Sequence, residues 1–175
     1  MIHEFEGVTP DVHDSVYQAP NTHIIGDVTV DADVSIWFNT TIRGENDSIK
    51  IGRGSNVQEG TMIHVDEGFP VTIGKNVTIG HNCVVHGCKI EDGALIGMGA
   101  IILNGAHIKS GAVIAAGAVV GENKVIEEDM LAAGVPAKPL KQVKEELKER
   151  ILDGAKFYQN NGKRFREAGI VSGNE

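Results

Sequence analysis

The stretch IEDGALIGMGAIILNGAHIKSGAVIAAGAVV, residues 90–120, carries an aliphatic side chain at every sixth position: Ile90, Ile96, Ile102, Ile108, Ile114 and Val120. Four residues after each of the first five comes an alanine, at positions 94, 100, 106, 112 and 118. A helix repeats every 3.6 residues and a simple strand every two, so neither produces a period of six. Hexapeptide units of a parallel β-helix do: each unit is a short strand and a corner, and three units close one triangular coil. The same beat runs outward in both directions, through Ile24, Val30, Ile36 and Ile42, then Ile51, Val57 and Ile63, then Ile73, Ile79 and Val85, and finally Ile126. Stacked along the interior, each such side chain contributes about 1.5–3 kcal/mol when fully buried. Gly and Asn after the aliphatic position, as in Gly74, Gly80, Gly97, Asn76 and Asn82, suit corners that need relaxed backbone angles.

The phase slips three times. Ile42 to Ile51 is nine residues, Ile63 to Ile73 is ten, and Val85 to Ile90 is five. The first two slips insert residues around Glu45–Ser48 and Asp66–Pro70, and insertions in a solenoid are expected to loop out beside its functional surface. The prolines of the Gly134–Pro139 segment are expected to halt strand pairing. Beyond them Leu140, Val143, Leu147, Ile151, Ala155 and Tyr158 recur at helical spacing, predicting an amphipathic helix that ends by Asn160–Gly162. The expected fold is therefore all-β, a β-helix domain over residues 1–137, with a C-terminal helix and tail over 138–175 packed on its side. Residues 1–22 repeat poorly and are expected to form an irregular first coil. Lys163–Arg166 reads as a solvated tail, and Ser172–Glu175 as a frayed end.

Composition narrows the function. The formal charge is −8 and aromatics make up 5% of the chain. Such a balance argues against nucleic acid, whose phosphates need clustered Lys and Arg, and against an anionic membrane surface. The chain shows neither a secretory signal nor an apolar run of membrane-spanning length. Two cysteines, Cys83 and Cys88, are too few for a disulfide framework, which makes the cytoplasm the expected compartment.

Once the inserted residues are subtracted, His64 and His86 lie one full coil, 18 residues, apart, each one position after its interior aliphatic. Side chains alternate inward and outward, so both point outward on one face. Coils stack about 4.8 Å apart, a spacing at which two imidazoles can share one zinc with bonds of about 2.0–2.1 Å. Arg43 falls in the same file, one coil below. His81 belongs to the preceding face, as does Gln58, and its simplest use is from a neighbouring subunit; a three-fold assembly would hold three equivalent sites. His3, His13, His23 and His107 read as surface or structural residues.

Arg43–Glu45, Asn56–Gly60, His64, Gly80–Asn82, Val85–Cys88, Leu95–Ala100 and Gly134–Lys138 together resemble the gamma-class carbonic anhydrase family, a branch of the left-handed hexapeptide-repeat proteins, over nearly the whole chain. The resemblance implies a left-handed β-helix and a homotrimer. It also implies zinc, or iron or cobalt, at each subunit interface, with His64, His81 and His86 as ligands. Arg43 and Glu45 would make charged links across the boundary, Asn56 and Gln58 would hydrogen-bond at the site, and Tyr158 is the family aromatic near the pocket. The implied activity is that of a zinc lyase, a carbonate dehydratase in which zinc-bound hydroxide attacks carbon dioxide to give bicarbonate, with Gln58 orienting the hydroxide. The family's long acidic loop after the first ligand is here only Asp66–Pro70, so Glu67 or Glu59 would have to take the role of proton shuttle. Two alternatives stand beside this reading: a hexapeptide-repeat acyltransferase using a coenzyme A thioester with His81 or His86 as base, and a noncatalytic metal-binding trimer.

Overall fold

The computed structural model describes residues 1–172; Gly173, Asn174 and Glu175 of the expected frayed end lie outside them. Ser172 itself is tied down, its N–H donating to the Gln18 carbonyl at 2.9 Å. All seventeen interior aliphatics named above are at most 2% exposed, and the five alanines at most 1%. They form one continuous column of small and branched side chains, as a period of six requires. The result is a parallel β-helix with three faces and a C-terminal helix.

One face stacks Met62–His64, Val84–His86, Ile101–Ile102 and Val119–Val120 in parallel register. A second stacks Tyr17–Gln18, Ser35–Ile36, Asn56–Val57, Thr78–Ile79, Leu95–Ile96, Val113–Ile114 and Met130–Ala133. The third carries Val71–Ile73, Lys89–Ile90, His107–Ile108 and Val125–Ile126. The first and third faces are joined by two long strands, His23–Val30 and Thr41–Ile51, which pass the corner between them. Near the N-terminus, Ile2–His3 and Asp11–Val12 pair in parallel with His23–Val30 and so extend the prism.

Several expectations are corrected. The insertion around Glu45–Ser48 is not a loop: it runs within the strand Thr41–Ile51, its extra residues taken up by a register shift opposite Gly26 and Val28. By contrast, Asp66–Phe69 does turn out from the surface, closed by a bridge between its two ends. Corners use Asn82 at φ 56° and glycines such as Gly99 at φ 69°. Gly80 and Gly97 serve a different purpose, since a Cβ on Gly80 would lie 2.8 Å from the Met98 nitrogen of the next coil. Their need is close approach, not backbone angle.

The prolines do not end strand pairing. Lys138–Gln142 turns back antiparallel on Met130–Ala133, and Pro139 sits in this outermost strand, where a missing N–H is tolerated. Residue 137 thus falls between the last two strands of the second face. Leu140 is exposed in that strand and does not belong to the helix. The helix spans Glu145–Glu167, with Glu145 and Glu146 in its first turn and Arg164 and Arg166 in its last, the arrangement its dipole favours. It runs through Gly162 because that glycine is buried against Tyr17. Phe165 lies 5.1 Å from Trp37 and 5.9 Å from Tyr17, centroid to centroid, while Arg166 donates to the Val16 and Asp14 carbonyls. Phe165 and Arg166 thus dock the last turn, while Lys163 and Arg164 stay exposed to solvent. Ile151 and Ala155 bury the middle of the helix on the second face, beside Val113 and Leu147.

Candidate metal centre

In the strands Met62–His64 and Val84–His86 the middle residues, Ile63 and Val85, point inward and are fully buried. Alternation therefore turns His64 and His86 outward, directly opposite each other in the ladder, with Arg43 across from His64 one coil below. The facing atoms are His64 Nδ1 and His86 Nε2, 2.8 Å apart. Each ring's other nitrogen is engaged. His64 Nε2 lies 2.9 Å from Glu45 Oε1, and Arg43 pairs with the same carboxylate oxygen. His86 Nδ1 lies 2.6 Å from Asn104 Oδ1, and Asn104 Nδ2 donates to Asp66 Oδ2 at 2.7 Å.

These partners decide where the protons sit. A carboxylate only accepts, so Glu45 takes the Nε2–H of His64 and leaves Nδ1 with its lone pair. Asp66 likewise only accepts, which orients the Asn104 amide so that its oxygen meets the Nδ1–H of His86 and leaves Nε2 with its lone pair. Two lone pairs then face each other across 2.8 Å. A proton shared between the rings or a metal ion beside them would satisfy that arrangement, and two neutral imidazoles are good ligands for a divalent transition metal. Burial, then the Arg43 charge and the repulsion a protonated His86 would exert, lowers the pKa of His64 against the opposing pull of Asp66, which favours the neutral ring that can ligate. The donor chemistry fits a metal ion.

His81 is not brought to this pair within the protomer. It stands at the corner between the second and first faces, its Nδ1 2.6 Å from Glu59 Oε2, with over a third of its side chain exposed. Among the described residues, the donor atoms that gather within 4.8 Å of one another belong to His64, Asp66 and His86. Gln58 and Asn56 are buried on the second face. Gln58 Nε2 donates to Asn56 Oδ1 at 3.0 Å, and Asn56 Nδ2 to Thr78 Oγ1 at 2.9 Å. Tyr158 packs edge-on against Trp37 at 5.6 Å, and burial followed by the nearby Glu59 charge raises its pKa. Glu67 sits exposed at the tip of the Asp66–Phe69 turn. The remaining histidines have local partners: His3 pairs with His23 at 3.0 Å, His13 with Ser15 at 2.9 Å, and His107 with Glu91 at 2.7 Å.

Sequence reasoning missed two members of the site. Asn104 follows His86 by 18 residues, the same one-coil spacing that relates the two histidines once the insertion is removed, so the period itself held the signal. Asp66 lies inside an insertion, where no period applies.

The fold and this file of side chains define a hexapeptide-repeat protein, and the comparisons agree. Residues 87–122 match the family described as bacterial transferase hexapeptide (six repeats). A hexapeptide transferase family protein from Anaplasma phagocytophilum superposes with a TM-score of 0.91 at 35% identity, over 94% of this chain and 98% of that one. The chain belongs to the hexapeptide-repeat family. Its curated relatives include gamma-class carbonic anhydrases. A carbonic anhydrase from Geobacillus kaustophilus is 40% identical over 73 residues, 42% of this chain and 40% of that one. Gamma carbonic anhydrase 3, mitochondrial, from Arabidopsis thaliana is 40% identical over 57 residues, 33% of this chain and 22% of that protein. The chain thus spans less than half the length of the curated relatives it matches.

Proposed function

We propose that the protein is a gamma-class carbonic anhydrase-like metalloprotein that hydrates carbon dioxide to bicarbonate. The observation that carries this reading is the facing pair of nitrogens, His64 Nδ1 and His86 Nε2, 2.8 Å apart, with the distal nitrogen of each ring beside an acceptor oxygen. Likeness to named carbonic anhydrases supports it. A bound zinc, iron or cobalt ion supplies Lewis acidity, which makes water nucleophilic near neutral pH.

The chain's own residues do the rest. Glu45 and Asn104 orient the two rings, and His81, whose Nδ1 lies 2.6 Å from Glu59 Oε2, completes the ligand set from a neighbouring copy. Gln58 spends its amide N–H on Asn56 and keeps its oxygen as an acceptor for a hydroxyl hydrogen. Tyr158, protonated across the neutral range, offers an O–H beside the second face. Glu67, on the exposed turn, passes the released proton to solvent.

The assembly proposed is a homotrimer. Met62, Val84, Ile101 and Val119 form one outward apolar file on the first face, next to the histidines, and a second copy covers it. Both cysteines are free and buried, in keeping with a reducing cytoplasm, and among the described residues no helix is long and apolar enough to cross a membrane.

Stopped-flow hydration of carbon dioxide by protein loaded with zinc, iron or cobalt tests the activity. Turnover above buffer that His86→Ala abolishes is expected. Equal rates for both proteins would refute it. The transferase name of the Anaplasma structure favours a second reading, acyl transfer from a coenzyme A thioester. Protection by coenzyme A against thermal unfolding, in metal-free protein, would select that reading.

A further inference from the structure

We propose that Asp66 is itself a metal ligand, so that one protomer holds a divalent cation through two imidazoles and a carboxylate, with Asn104 as the clamp that positions both Asp66 and His86. The inference rests on the reading of His64 and His86 as ligands and adds an oxygen donor to them.

Three observations carry it. The ligand atoms of His64, Asp66 and His86 lie within 4.8 Å of one another, so that small side-chain shifts bring them onto one ion. The carboxylate is also held in place. The Asp66 carbonyl accepts the Phe69 N–H at 2.9 Å, and the Phe69 carbons pack against Gly87, one residue beyond His86. This four-residue turn ties its base to the strand of the second histidine. Finally, Asn104 Nδ2 takes one carboxylate oxygen at 2.7 Å, and a carboxylate has a second oxygen to give. One amide thus orders two members of the site at once: its oxygen sets the tautomer of His86, and its nitrogen sets the rotamer of Asp66. Groups that orient ligands in this way are worth about 10–100-fold in metal affinity.

The consequence is chemical. Two imidazoles and one carboxylate with an open position suit catalytic zinc as well as iron(II), and a fourth protein ligand shifts the preference to iron(II) or cobalt(II), which accept more than four. Adding His81 from a neighbouring copy still leaves such an ion room for substrate. The short turn after His64 therefore places its first acid, Asp66, at the metal and leaves Glu67 in solvent.

The test is cobalt(II) titration of the full-length protein, followed by its visible spectrum and by chelator competition. The wild type is compared with Asp66→Asn, Asn104→Ala, the double variant, His64→Ala and His81→Ala, each checked for folding by circular dichroism. Expected are one cobalt per chain in the wild type and in His81→Ala, about 100-fold weaker binding with an altered spectrum in Asp66→Asn, and about tenfold weaker binding with an unaltered spectrum in Asn104→Ala. Should Asp66→Asn, Asn104→Ala and the double variant all lose the same affinity and keep the wild-type spectrum, Asp66 acts only through Asn104 and the inference fails alone. Loss of all binding in His81→Ala would overturn the claim that one protomer suffices. A wild type that binds no better than His64→Ala would overturn both the inference and the metal reading beneath it.

Discussion

Glu45 shows how much one side chain settles here. Its Oε1 meets both Arg43 and His64, and as a pure acceptor it leaves the His64 ring a single way to carry its proton. Glu45→Gln introduces a donor at the same place and permits the wrong tautomer. Metal affinity measured by competition with a chelator should fall about 10–100-fold, with thermal stability of the metal-free protein little changed. Glu91, on the third face, makes a prediction about pH. The hydrogen bond from His107, then that from Lys89, holds its carboxyl down to about 2, against 4.5 without partners. The folded protein thus keeps Glu91 ionised where the unfolded chain takes up a proton. The stability this contributes is complete above about pH 4.5 and is lost as the pH falls toward about 2. Urea midpoints compared at about pH 5 and pH 3 should fall further for the wild type than for Glu91→Gln.

At the scale of elements, the helix tests how two opposing effects balance. Alanine in place of a helical glycine gains up to about 1 kcal/mol of propensity. At Gly162 the added Cβ would sit 2.8 Å from the Cβ of Tyr17, which lies next to the backbone and has little freedom to retreat. Overpacking of this kind costs about 1–3 kcal/mol, so Gly162→Ala should destabilise by about 1 kcal/mol or more in denaturant titration, the reverse of a surface helix glycine. Periodicity showed the face this helix buries, through Leu147, Ile151 and Ala155, but started it too early, at Leu140 and Val143, and did not show where it stops. Asn160–Gly162 reads as a terminator by composition, and only the aromatic cluster of Tyr17, Trp37 and Phe165 explains why the backbone stays helical past it. Within the coils, Ile102→Ala leaves a cavity that rigid neighbours above and below cannot close, at a cost of about 2–5 kcal/mol in the same assay.

For the whole molecule, the outward file of Met62, Val84, Ile101 and Val119 carries the assembly prediction. Ile101→Glu places a charge in the middle of that file and should convert the proposed trimer to monomers in sedimentation velocity, with the circular dichroism of the coils retained. A wild type that already sediments as a monomer would contradict the proposed assembly. The β-helix was legible in advance because its interior repeats: a prism of constant width admits the same size of side chain at every sixth residue, and the chain states that requirement seventeen times. The same regularity put His64, His86 and Arg43 in one file, since a fixed number of residues per coil converts separation along the chain into height. What only the tertiary structure decided lies where that count breaks down. Whether an insertion runs as strand, as Glu45–Ser48 does, or as a turn, as Asp66–Phe69 does, depends on the backbone that the adjacent coils leave unpaired. The meeting of Asp66 with Asn104, 38 residues away, follows from that choice, as hydrogen bonds between coils are directional and leave no periodic trace along the chain.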